Sequence, residues 1–211
     1  MSGFDFLGEK YVVGAASFNV IYLGVNFADA MRQAFELLLQ AQVEPPAGDY
    51  VIVVIRDVMV EGGDPVSGLH ASASDIRTHR FSGQSGIPVP KNGFIFLSVV
   101  YHAALIDVLG KQAALHDLAD TLCHEPRHAV RGHEGHDAED LASEREVFVR
   151  LNEVDPLPAK AQHFFLEILD AGYIDGPGAK PTKMVRQVVD RILRKRRAIL
   201  RQGPKSNARS P

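Results

Sequence analysis

The stretch "TLCHEPRHAVRGHEGHD", Thr121 to Asp137, holds four of the chain's nine histidines and governs how the rest of the sequence is read. Within it, His124-Glu125-Pro126-Arg127-His128 fits the pattern H-E-x-x-H. Residues four apart share one face of a helix, so two imidazoles can hold one zinc ion while the glutamate between them reaches a metal-bound water. Zinc brings such a water to a pKa of about 7 and polarises a carbonyl, and the glutamate takes the proton. His124 and His128 are therefore candidate metal ligands and Glu125 a candidate catalytic base. His133 and His136, close behind in "RGHEGHD", compete for the place of a third ligand.

Upstream of the motif, Leu115, Leu118, Ala119 and Leu122 form an apolar stripe at helical spacing from about Ala113. His124 lies nine residues beyond Leu115, about 180° away around the helix. The stripe packs and the histidines face the other side. Pro126 removes the hydrogen bond to the carbonyl of Leu122, so a kink is expected there. Downstream, a helix is expected from Ala138 to Leu151, with Asp137 as N-cap and Glu139 and Asp140 in its first turn. Leu141, Glu144, Phe148 and Leu151 fall on one inward stripe of it. Glu144 thus takes a core position where an unpaired carboxylate is costly, and either a metal ion or a nearby arginine would partner it.

Nearer the N-terminus, "KYVVGAASFNVIYLGV" reads as a bent strand or hairpin. "NFADAMRQAFELLLQAQ" follows as an amphipathic helix, with Phe27, Ala30, Met31, Ala34, Phe35, Leu38 and Leu39 at helical spacing. "YVIVVIRDVMV" is a buried strand, and "GFIFLSVVY", Gly93 to Tyr101, is another. The Gly-, Ser- and Pro-rich segment from Glu61 to Asn92 reads as mostly loop with a short helix or hairpin, long enough to shape a cleft. After the motif region, "AKAQHFFLEILDA" is a short helix and "GPGAKP" a linker. "KMVRQVVDRILRKRRAILR" is a helix with one apolar and one basic side.

At 211 residues, with 45% hydrophobic and 23% charged residues, the chain has the composition of a globular protein. No run reaches the roughly 18 apolar residues of a membrane span, so no transmembrane segment is expected. The one cysteine, Cys123, excludes an internal disulfide framework. The N-terminus lacks the basic and apolar segments of a secretory signal, so the expected location is cytoplasmic, or outside by a route without a cleavable signal peptide. The net charge of −3 conceals an asymmetry: from Gly176 onward the chain carries +10, and the remainder −13. Such a tail suits nucleic acid or an anionic surface, or lies against its own acidic body.

On the motif, the strand before it and the later helix "ASEREVF", the chain resembles the zincin metallopeptidases, and among them the gluzincins. The resemblance implies an α+β fold: a twisted mixed sheet with a backing helix, an H-E-x-x-H helix and a helical C-terminal part. It also implies Zn2+ as cofactor, His124, His128 and Glu144 as ligands, Glu125 as general base, and a peptide or protein substrate. The strand Phe94 to Val100 would then be the edge on which an extended peptide adds. Residues 1–175 would form the zincin-like domain and 176–211 the basic helix and tail. The longer metzincin pattern is absent, since Arg131 and Glu134 stand where it needs glycine and histidine. The alternative from another class is a non-catalytic, zincin-like binding protein that holds nucleic acid or a protein partner through the basic helix.

Overall fold

In a computed structural model, residues 8–58, 67–131, 138–171 and 182–201 are described. The chain starts with the hairpin β1 (Glu9–Val13) and β2 (Ala16–Tyr22), turned at Gly14, whose φ of 56° lies in the left-handed region that glycine tolerates. Helix α1 (Ala28–Gln40) leads to β3 (Gly48–Ile55), parallel to β2. Then come β4 (Gly68–Ala71), α2 (Ile76–Ser85) and β5 (Phe94–Ser98). The five strands form one mixed sheet in the order β1-β2-β3-β5-β4, with β5 parallel to β3 and β4 antiparallel to β5.

Two expectations are corrected. The strand read over Phe94 to Val100 is not a sheet edge: β5 lies between β3 and β4, and the edge on that side is β4, from the segment expected to be mostly loop. All five β5 residues are buried, as an interior strand covered on both faces requires. The second concerns "SVVY", read as the end of that strand. Ser98 instead caps α3 (Val99–Leu109), its hydroxyl accepting from the Tyr101 amide at 3.1 Å. A β-branched start resembles a strand in isolation, and the cap overrides it.

Alternation along the strands divides the sheet's two faces. Phe18, Val20, Tyr50, Ile52, Val54, Ile95 and Leu97 face a core shared with Met31, Phe35 and Leu38 of α1. Helices α4 (Lys111–Arg131) and α5 (Ala138–Val154) close that core with Leu118, Leu122, Val147 and Leu151. Of the stripe expected on α1, Leu39 is exposed and Leu37 is buried in its place. On the opposite face, Val53, Phe94 and Phe96 pack with Phe81 of α2. Gly93, at φ 83°, holds the approach to β5 so close to β4 that a Cβ would stand 2.2 Å from the Ala71 carbonyl oxygen.

A second core joins Ala104 and Leu105 of α3 and Ala114 of α4 to Phe164 of α6 (Ala159–Asp170). Val185, Val188 and Ile192 of α7 (Lys183–Arg201) complete it. The boundary read at residues 175 and 176 and the "GPGAKP" linker lie outside the described residues. No helix of the described residues is long and apolar enough to cross a membrane.

Candidate metal centre on helix α4

The polar face of α4 is built by helical spacing: Asp117, Asp120, Thr121, His124 and His128 recur three or four residues apart. Its opposite side, with Leu118, Ala119, Leu122 and Cys123, is buried in the main core. Cys123 is 1% exposed, and burial pushes its thiol well above the ordinary range, so it behaves as a small apolar residue. α4 runs unbroken through Pro126, itself buried, and both histidines stay on one face.

His124 Nε2 and His128 Nε2 stand 3.0 Å apart, their rings nearly perpendicular at 81°. Two nitrogens about 2.0–2.1 Å from one tetrahedral zinc are separated by about 3.3 Å. A shift of a few tenths of an ångström would bring this pair to that spacing. Donor atoms of His124, Glu125 and His128 all lie within 4.8 Å of one another, a group that fits a single ion.

On the other side of the His124 ring, Nδ1 lies 2.6 Å from Glu144 Oε1. Glu144 comes from α5 and is 1% exposed, in the core position its spacing predicts, whereas Glu146 is solvent-exposed. The buried stripe of α5 is Asp140, Glu144, Val147 and Leu151, so Leu141 and Phe148 sit at its margin rather than its centre. Arg127 Nη1 approaches the same Glu144 oxygen at 3.7 Å. Of the two partners expected for a buried glutamate at this position, a metal ion or an arginine, the arginine is beside it, and His124, which was not expected there, is its nearest partner. Arg131 joins the end of α4 to the start of α5 by ion pairs to Glu139 at 2.7 Å and Asp140 at 2.8 Å.

Charge is concentrated around His124. Burial lowers its pKa, but the Glu144 hydrogen bond and the charges of Glu125, Glu144 and Asp120 outweigh this and hold it up to about 9. Asp117 is pushed up to about 7 by burial and by Asp120. Asp120 is likewise pushed up to about 7, by burial and by Glu144.

Glu125 faces the sheet edge. Its Oε2 accepts from the backbone N–H of His70 in β4 at 2.7 Å, and the ring of His70 is held by Nε2 at 2.8 Å from the Asn92 carbonyl oxygen. Gly68 permits this approach: a Cβ there would meet Thr121 Cγ2 at 2.5 Å and Glu125 Oε1 at 3.1 Å. Ser67 and Thr121 hydroxyls, 3.0 Å apart, extend the seam between β4 and α4.

The structure therefore brings together His124, Glu125, His128 and Glu144. His133, His136 and the expected N-cap Asp137 lie outside the described residues. The sequence reading passed over Asp117 and Asp120, although their spacing to His124 places them on its face. It had no means of finding the His70 amide, a backbone group whose side chain points elsewhere. No protein-family model, curated protein or solved structure matches the chain.

Proposed function

We propose that this chain is a zinc-dependent metallopeptidase with Glu125 as general base. The observation that carries the reading is the pair of facing Nε2 atoms of His124 and His128, with the Glu125 carboxylate in the same 4.8 Å group. Bound zinc would supply a water acidified toward neutral pH and a Lewis acid for the carbonyl. His124 offers its Nε2 lone pair when its proton is on Nδ1, and Glu144 favours that tautomer by accepting there. This supports Glu144 as the carboxylate that positions His124, in preference to the third ligand that the family resemblance implies. Glu125 accepts the proton at a carboxylate oxygen and returns it to the leaving amine.

The edge strand for an added peptide is β4 in this reading, because β5 has neighbours on both sides. An extended peptide on that edge would offer a carbonyl to the His70 N–H that Glu125 now engages. Glu125 would then be released toward the histidines as substrate arrives.

The direct test is metal analysis of protein purified without chelators. Zinc at about one ion per chain is expected, and protein that carries none and takes up none at neutral pH would overturn the proposal. The second measurement is peptide cleavage by Glu125→Gln, expected to keep zinc and lose activity by 100-fold or more, on the order of a general base's contribution. Retained activity would remove Glu125 from the mechanism.

The Glu125 to His70 contact also favours the second reading, a non-catalytic protein with a zincin-like shell, in which that carboxylate only joins α4 to β4. Zinc-loaded wild-type protein that cleaves no peptide in a random library would select it.

A further inference from the structure

The outer face of α7 has no role in the reading above. Val185, Val188 and Ile192 are at most 3% exposed in the core with α3 and α6, while Lys183, Arg186, Arg191, Arg194, Arg197 and Arg201 are all exposed. At 100° per residue these six cations fall on one half of the helix, opposite the buried stripe, and Lys183, Arg194 and Arg201 lie within about 20° of one another. They run along about 27 Å of helix axis at 1.5 Å per residue. Asp190 is the one acidic residue on this helix.

Two further cations are taken by the body of the protein and help to orient the face. Arg196, 6% exposed, points inward and pairs with Asp57, its Nε 3.0 Å from Oδ1, and Lys195 reaches Asp107 at the rim at 3.0 Å. The helix is thus fixed with the other cations outward. The rest of the chain is net negative, so this helix carries a concentration of positive charge that the body does not.

We infer that α7 presents a docking surface for the phosphodiester backbone of a duplex nucleic acid. Charge complementarity, and the use of arginine for five of the six positions, fit phosphate, which the guanidinium fork binds through two hydrogen bonds. An anionic membrane is the less suitable partner. A helix that lies in a bilayer interface needs its apolar side for the acyl chains, and here that side is buried against α3 and α6. α7 has no aromatic residue, so it lacks the stacking platforms of single-strand binders. Six phosphate contacts of this kind are independent of base sequence.

The test uses the full chain and a fluorescein-labelled 20-base-pair DNA duplex, with anisotropy followed from 50 to 200 mM salt. Six neutralised phosphates predict a slope of log K against log salt near −5, and Arg191→Ala/Arg194→Ala/Arg197→Ala should lower it to about −3. All three positions are exposed and alanine favours helix, so unchanged circular dichroism is expected. A charge-matched variant at exposed sites elsewhere, Lys10→Ala/Lys91→Ala/Lys160→Ala, should leave the slope as it was. The inference is overturned by no duplex binding at 50 mM salt, or by equal slopes in the wild type and the α7 variant. It is also overturned if vesicles with 30% phosphatidylserine retain the protein while the duplex does not. Zinc content enters none of these outcomes.

Discussion

Glu144 is buried between a histidine and an arginine, and under the proposed function its carboxylate serves the site through the geometry it imposes on His124. It holds His124 Nδ1 at 2.6 Å, across the ring from the nitrogen that faces His128. Glu144→Gln keeps the size and an acceptor oxygen but removes the charge. A positioning carboxylate lost in this way should weaken zinc binding about 10- to 100-fold, read by competition with a chromophoric chelator at pH 7. Unchanged affinity would leave Glu144 a purely structural partner of Arg127, and complete loss of binding would restore it as a direct ligand. At this scale much was legible from sequence. The i, i+4 spacing fixes His124 and His128 on one face, and the core position of Glu144 follows from its period with Leu151. Which atom of the His124 ring Glu144 meets depends on the packing of α5 against α4, and no sequence pattern carries that.

Among the elements, α3 was hidden because "SVVY" is as good a strand end as a helix start, and only the cap at Ser98 decides. His102, on α3, is 8% exposed, edge-on to Phe27 with ring centroids 4.9 Å apart. Burial lowers its pKa to about 4. Its folded-state pKa lies below the unfolded value of about 6.5, so its contribution is full above pH 6.5 and is lost as pH falls toward 4, about 3 kcal/mol in all. In urea titrations at pH 7 and 4.5, the unfolding free energy of wild type relative to His102→Gln should therefore fall by roughly 2–3 kcal/mol at the lower pH. A difference that does not change with pH would contradict the assignment. β4 escaped the sequence reading for another reason. Four residues, Gly68 to Ala71, are too few to set a period, and the strand exists because β5 offers it a partner.

For the whole molecule, the order of strands and helices was legible from their apolar periods and the α+β class with a mixed sheet was implied by the family resemblance, whereas the second core was not foreseen. Its members come from α3, α4, α6 and α7, distant in sequence and joined only by packing. The part-buried pair of Asp57, just after β3, and Arg196 ties α7 to the end of the sheet, and Ser98, the cap of α3, donates its hydroxyl to Asp57 at 3.1 Å. Asp57→Ala leaves a guanidinium buried without its charge partner, a loss of about 3–5 kcal/mol. It should first appear as faster amide exchange along α7. Replacing both residues, Asp57→Ala with Arg196→Met, should cost much less, and an equal cost would mean that the pair is not what holds α7. The β4 border of the sheet has a different guard. Unpaired amides on an edge strand invite a neighbouring chain to add to the sheet, and at β4 the carboxylate of Glu125 already occupies the His70 N–H. The group proposed to move a proton thus also satisfies one outward-facing donor of that edge, so that catalysis and the covering of the sheet border would draw on one side chain.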